Sequence, residues 1–352
     1  MAHHTFASDN YAGAHPEVLA APAAANTGHA RAYGADQWTE QLQDVVKTHF
    51  GEWAHAYPVF NGTGANVVAL TSMLPRWGAV VTSRFAHIHN DENGAPERVG
   101  GIKLLTVDTP DGKLTPAMID EQAWGWGDQH RAQPLVVSIT QPTELGTVYT
   151  PEEIRAVADH AHGLGMRLHM DGARLANAAA YLGVPLAAIT TDAGVDVLSF
   201  GGTKNGMVFG EAVVVLDPEA VHGIDYVRKM TMQLASKMRF VSAQLLALLD
   251  DELWLRSASH ANAMASRLRS GLENLISAGH APGLAFTQET QANAVFAVVP
   301  AHAVEGLRDQ FGFYDWNAAR GEVRWMCSFD TSEGDVDAFV AGVRAALDPR
   351  DA

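Results

Sequence analysis

Cysteine is almost missing: Cys327 is the only one in 352 residues. No intrachain disulfide can form, and no cysteine-built metal cluster can assemble. Basic residues are scarce too, with 24 Lys and Arg against 40 Asp and Glu and a formal net charge of −16. A surface of that sign repels phosphate backbones, and no basic run offsets it, so nucleic acid is not an expected partner. No stretch approaches the ~18 apolar residues of a membrane span. The start, Met1-Ala2-His3-His4-Thr5-Phe6, has neither the positive flank nor the apolar centre of a signal peptide. These absences lead to the expectation of an unexported chain in a reducing cytoplasm, away from membranes. Internal repeats and low-complexity tracts are also lacking, and His3 and His4 are given no role.

What is present is a large core. With 47% hydrophobic and 18% charged residues, the chain can bury two domains' worth of apolar surface. Residues 1–35 have no sustained period apart from a short helix candidate at Pro16 to Ala25, and read as an arm. From Asp36 the spacing of Trp38, Leu42, Val45, Val46 and Phe50 predicts a capped helix. Strand candidates follow at Tyr57 to Phe60, Ala79 to Val81, Lys103 to Val107, Leu135 to Thr140, 166–170, 195–199 and 212–216. Helical patterns lie between them, among them Val67 to Met73, a stretch near Pro116 to Ala123, and the capping box Thr150-Pro151-Glu152-Glu153. Strands alternating with helices predict an open, mostly parallel α/β sheet over about 50–220. A helical stretch from Val221 to Ala278 then gives way to strands near Ala294 to Val299 and Val323 to Cys327. We therefore expect an arm over 1–35, a large domain over 36–245 and a small α+β domain over 246–352.

The chemistry gathers at the expected strand ends. Lys204 stands in Phe200-Gly201-Gly202-Thr203-Lys204-Asn205-Gly206, just after an apolar run. A lysine desolvated in such a turn becomes a nucleophilic amine suited to Schiff-base chemistry, which points to an aldehyde cofactor. Asp171, in Met170-Asp171-Gly172-Ala173-Arg174, precedes it by about one strand–helix–strand unit, so both turns would open on one sheet edge. Its carboxylate suits a pyridinium partner, although a helix N-cap would use the same residue. Arg174 can clamp a carboxylate bidentately. Asn61-Gly62-Thr63-Gly64 between a strand and a helix is an anion-binding arrangement. A dinucleotide reading is weaker, since Val67 stands where a third glycine is wanted and Thr82 and Ser83 where an acid is wanted. His87 and His89 would share a face if extended, which admits a metal site with Asp91 or Glu92, but stacking of His87 on a flat cofactor is the better reading and no metal is expected.

Taken in order, Ala7-Ser8-Asp9-Asn10-Tyr11, Arg31-Ala32-Tyr33-Gly34, Phe60-Asn61-Gly62-Thr63, His87-Ile88, Met170 to Arg174 and Gly201 to Gly206 resemble the L-threonine aldolases. These are low-specificity, pyridoxal-phosphate-dependent enzymes of the aspartate-aminotransferase fold (fold type I), in the broad group of the β-eliminating lyases. The resemblance implies retro-aldol cleavage of L-threonine, L-allo-threonine and related β-hydroxy-α-amino acids to glycine and an aldehyde. It implies that Lys204 carries the cofactor as a Schiff base, Asp171 pairs with the pyridine nitrogen, His87 stacks on the ring, and Gly62 and Thr63 hold the phosphate. Ser8, Arg174 and Arg324 would hold the substrate carboxylate. Tyr33 and Arg239 would reach in from a neighbouring subunit, with Lys229 and Lys237 as alternatives near Arg239, so the active unit would be at least a dimer and commonly a tetramer. Many relatives carry a second active-site histidine near the position of Thr143, and its absence leaves the general base and the threo/erythro preference open. β-Elimination, serine hydroxymethyl transfer or transamination on the same cofactor is the competing reading, ahead of an NAD-type oxidoreductase or a non-catalytic assembly protein.

Overall fold

The computed structural model describes residues 4–348 and Arg350, so Met1 to His3 of the expected arm lie outside the described residues. Seven strands form the main sheet: β1 His55–Val59, β2 Gly78–Ser83, β3 Lys103–Val107, β4 Gln133–Thr140, β5 Arg167–Gly172, β6 Val197–Gly201 and β7 Glu211–Val215. Their order is β1-β7-β6-β5-β4-β2-β3. The five strands from β3 to β6 pair in parallel. β7 is antiparallel to both β6 and β1, which turns β1 back into the common direction. The carboxyl ends of β1, β2, β4, β5 and β6 therefore open on one edge, where α/β sheets bind ligands.

The strands read as continuous apolar runs because both faces are covered. Successive residues alternate between two apolar cores. Leu198 and Val214 join the cluster around Phe50, Phe200 and Leu245, whereas Val197, Val213 and Val215 join the cluster around Leu70 and Val80. The expected helix starts are present: Asp36 accepts from Thr39 N at 2.9 Å, and Thr150 and Glu153 close a capping box on Pro151–Gly163. One helix begins earlier than the apolar pattern indicated. Asn61 caps it through Gly64 N, so Gly62, Thr63 and Gly64 form the first turn of the helix Gly62–Met73.

A second, antiparallel sheet runs β10-β11-β9-β8, from β8 Ala285–Phe286, β9 Ala294–Val298, β10 Tyr314–Asn317 and β11 Glu322–Met326. The short β8 and the exposed β10 lack a strong apolar alternation and were not legible in the sequence. Helices Leu253–Ser277, Ala301–Phe311 and Glu333–Leu347 share a core with this sheet around Trp325 and Phe339. Phe6 of the arm is fully buried in that same core, tied by Phe6 N to Phe311 O and by Met326 N to Phe6 O. Among the described residues no helix is long and apolar enough to cross a membrane.

The turns after β5 and β6 press on each other. A Cβ placed on Gly201 would lie 2.4 Å from the Ala173 carbonyl oxygen, and backbone cannot swing aside as a flexible side chain could. Gly201→Ala is expected to cost ~2 kcal/mol or more through this overpacking. The check is a lower urea midpoint at unchanged m-value.

Candidate active site

A cavity of about 340 Å³ opens at the carboxyl edge of the main sheet. Lys204 reaches it from a single turn, Thr203–Asn205, that follows β6 and ends on Gly206 at φ +100°. Burial, reinforced by the Arg174 charge, pushes the Lys204 amine below its ordinary range. No described side chain holds it in a hydrogen bond or ion pair, so the amine is both desolvated and free. Beneath the turn, Glu211 on β7 accepts from Gly202 N, and burial raises its carboxyl to about 7.

Asp171 sits at the end of β5 and not at a helix cap; Arg174 occupies the N-cap position of the helix Leu175–Leu182, with no side-chain capping bond. Asp171 Oδ1 accepts from Ala173 N at 3.0 Å and Oδ2 from Asn66 Nδ2 at 2.8 Å. The same Asn66 amide donates to Glu92 Oε1 at 2.8 Å, and Glu92 Oε1 is 2.9 Å from His87 Nδ1. That bond to Glu92 raises the His87 pKa in spite of burial. His87 and His89 do not share an extended face. His87–Asn90 is a helical turn, which leaves His87 on the cavity and His89 exposed. No group of three or more His, Cys, Asp or Glu side chains is arranged to hold a metal among the described residues. His169, next along β5, is a satisfied core histidine between Ser138 and Ser199, and burial lowers its pKa to about 4.

Arg174 lines the cavity but is not idle. Its Nε and Nη2 bind the two oxygens of Asp9 at 2.6 and 2.9 Å, and Asn293 Nδ2 adds a third bond to that carboxylate at 3.1 Å. Burial alone would raise the Asp9 pKa, but Arg174 outweighs it and holds the carboxyl below its usual range. Arg324 on β11 is a second cation nearby. Burial and the Arg174 charge lower its pKa to about 10, and its Nε has no hydrogen-bond partner. Unlike Arg174, Arg324 is not among the residues that line the cavity, and its guanidinium lies over the Trp316 ring.

Gly62 and Thr63 line the cavity. Ser8 does not; its Oγ accepts from Asn10 N at 3.2 Å, and Asn10 lines the cavity in its place. Tyr33 and Arg239 lie outside the cavity. Tyr33 N is bound to Ser236 O, with Lys229 over its ring, while Arg239 donates to Thr27 O and lies over the Trp38 and Phe240 rings.

The β-eliminating lyase family model matches residues 5–301. The chain is 45% identical over 344 residues to the low specificity L-threonine aldolase of Pseudomonas sp. (strain NCIMB 10558), covering 97% of each. It is 43% identical over 351 residues to that of Pseudomonas aeruginosa, covering 99% of each. This chain belongs to the β-eliminating lyase and threonine aldolase family. The solved structure of the Leishmania major threonine aldolase superposes with a TM-score of 0.89 at 28% identity, covering 97% of this chain and 98% of that one. Members of this family depend on pyridoxal phosphate and have the fold-type-I architecture, which is the arrangement of sheets found here.

The residues present fit that cofactor. Asn61 uses Gly64 N and Ala65 N, leaving the N–H groups of Gly62 and Thr63 at a helix N-terminus for an anion. A Cβ on Gly62 would meet nothing within 4 Å, so space stands open where the backbone donors point. The unpartnered Lys204 and the buried Asp171 carboxylate border the same cavity. The resemblance also drew attention to the turn around Thr143. The Thr143 hydroxyl is turned away onto Thr147 Oγ1 at 2.6 Å, and the next residue, Glu144, faces the cavity instead.

Asp9, Asn66, Glu144 and Glu211 were missed from sequence, and Glu92 was read only as a metal-ligand candidate: Asp9 and Asn66 act through partners distant along the chain, and the nearer Glu92–His87 and Glu211–Gly202 bonds have no local sequence signature. The Asp9 pair carries a pH signature. Its folded pKa lies below its unfolded value, so its contribution is complete above the unfolded value of ~3.9 and is lost as pH falls through the folded value. Asp9→Asn is expected to cost ~3 kcal/mol at neutral pH, with a shallower acid limb. Denaturant midpoints measured from neutral pH down to acid would check both.

Proposed function

We propose that this chain is a pyridoxal-phosphate-dependent carbon–carbon lyase that cleaves L-threonine, L-allo-threonine and related β-hydroxy-α-amino acids to glycine and an aldehyde. The observation that carries this reading is the free, desolvated Lys204 amine beside Asp171 and the open Gly62 turn, in a chain 45% identical to a low specificity L-threonine aldolase. When bound, pyridoxal phosphate supplies an electron sink for a carbanion at the substrate Cα.

The roles proposed for this chain's residues follow from their chemistry. Lys204, with its amine pKa lowered, is the covalent anchor and the amine returned when product leaves. Asp171 holds a proton on the ring nitrogen, and Asn66 keeps the carboxylate in place. Gly62 and Thr63 hold the phosphate through backbone N–H groups. His87, kept in orientation by Glu92, packs on the ring face. Arg174 and Arg324 bind the substrate carboxylate, with Ser8 supporting the turn that positions Asn10. Fixing the carboxylate decides which Cα bond is aligned for cleavage, and here that is Cα–Cβ. The β-elimination, hydroxymethyl-transfer and transamination readings share Lys204 and Asp171, but the near-complete match to threonine aldolases favours the retro-aldol outcome.

The proposal includes a homo-oligomer, at least a dimer and commonly a tetramer. Its support is a group of exposed large apolar side chains on and just after the helix Ile224–Met230, with Tyr226, Met230 and Met232 each more than two-thirds exposed, and Tyr33, whose ring lies under Lys229 of that helix, about half exposed. Tyr33 and Arg239 lie outside their own cavity, as residues serving a partner's would. A cytoplasmic location is part of the same reading, supported by the single, buried Cys327. The division at residues 245 and 246 has support in the break between helices Arg239–Leu249 and Leu253–Ser277, although Leu253 and Trp254 still pack in the large core.

Purified protein is expected to release glycine and acetaldehyde from threonine, and Lys204→Ala to abolish turnover; full activity in that variant would sink the assignment. Shared sites predict complementation. Lys204→Ala and Arg239→Ala subunits, each inactive alone, should regain about a quarter of wild-type activity on mixed refolding, because half the dimers are hybrids with one intact site.

A further inference from the structure

We infer that Glu144 is the catalytic base of the carbon–carbon cleavage, accepting the substrate's β-hydroxyl proton on Oε2. This rests on the aldolase reading above and names the group that the reading leaves open. The turn after β4 fixes the side chain's direction. Gln141 is locked to Tyr149 by two bonds, from Gln141 Nε2 to Tyr149 O at 2.8 Å and from Tyr149 N to Gln141 Oε1 at 3.0 Å. Thr143 is held on the outer side, where a Cβ on Gly112 would come within 2.8 Å of it. Glu144 is thereby delivered to the cavity wall with Asp171, Lys204 and His87.

Its two oxygens have different situations. Oε1 is anchored, accepting from His87 N at 2.7 Å and from Thr140 Oγ1 at 2.8 Å. Oε2 is buried and has no hydrogen-bond partner. A buried carboxylate oxygen without a donor is costly unless something else supplies one. A substrate hydroxyl does so. The charged and titratable groups around Glu144 are Asp171, Arg174, Tyr149 and His87. Burial, with the Asp171 charge, brings the Glu144 carboxyl to about 7, the range in which a group can both take and return a proton.

His87 is the alternative in the same cavity and is less suited. Its Nδ1 is committed to Glu92, and that bond raises its pKa, which makes the ring a poorer acceptor for a proton than an unpaired imidazole. In the cleavage step the O–H bond breaks and its proton passes to Glu144 Oε2. The freed pair on oxygen becomes the second bond of the aldehyde carbonyl, while the Cα–Cβ pair remains on Cα. Protonation of Cα then gives glycine, and Glu144 returns its proton to solvent or, in the reverse direction, to the new alkoxide.

Glu144→Gln keeps an oxygen for His87 N and Thr140 and removes only the base. With the holoenzyme, kcat for threonine cleavage is expected to fall by about 10²–10⁴-fold. KM and the exchange of the glycine α-proton with deuterated solvent, which needs no β-hydroxyl base, should stay within about three-fold of wild type. Infrared difference spectra between about pH 6 and pH 8 should show protonated-carboxyl signal lost from both Glu144 and Glu211 in the wild type, and a smaller loss, from Glu211 alone, in the variant. Cleavage within about three-fold of wild type, equal losses of cleavage and exchange, or an unchanged infrared band would each overturn the assignment. A wild type that exchanges glycine but cleaves no β-hydroxy-amino acid would instead remove the aldolase reading, and this inference with it.

Discussion

The amide nitrogen of Asn66 is the joint on which the site depends. It donates at once to Asp171 and Glu92, two buried carboxylates that need hydrogen-bond donors out of reach of water. Asn66 stands one turn into the helix that starts at Gly62, so the anion turn, the end of β5 and the His87 turn are linked through one side chain. A shift of that helix would move Gly62 and Thr63, Asp171 and His87 together. The geometry is preorganised because these parts cannot drift separately.

Charge around the cavity is arranged as unequal pairs. Arg174 is neutralised by Asp9, whereas Arg324 nearby is incompletely paired. Asp171 is fully hydrogen-bonded, whereas Glu144 has one oxygen without a donor. The same residue types thus divide into those that hold the scaffold and those with an unmet partner. Glu144, the carboxylate with the unmet oxygen, lines the cavity.

Much of this was legible in the sequence for local reasons. Strand runs, capping boxes and glycine turns depend on neighbours within a few residues, so Thr150, Asp36, Lys204 and Asp171 could be read in place. The mostly parallel sheet followed from strands alternating with helices, whereas its strand order did not. What was not legible depended on contacts across the chain. Asp9 meets Arg174 across 165 residues, and no local pattern signals that pair. The offset between Thr143 and Glu144 is a single residue, decided by hydrogen bonds to Thr147 and Tyr149 that only the folded turn supplies. The extended reading of His87 and His89 failed because Asn90 N and Asp91 N bond back to Ala86 O and His87 O, closing a helical turn.

The burial of Phe6 among residues near the far end of the chain has a consequence for biosynthesis. The arm's docking groove is built from the helix Ala301–Phe311 and β11, so the residues around Phe6 must wait for segments translated long after them. Until they dock, Asp9 cannot reach Arg174, and the guanidinium has no counter-charge. The parallel sheet can form while the nascent chain is still growing, but the electrostatics of the pocket close only after β11 has emerged. An assembling chain therefore has its scaffold early and its charge balance late.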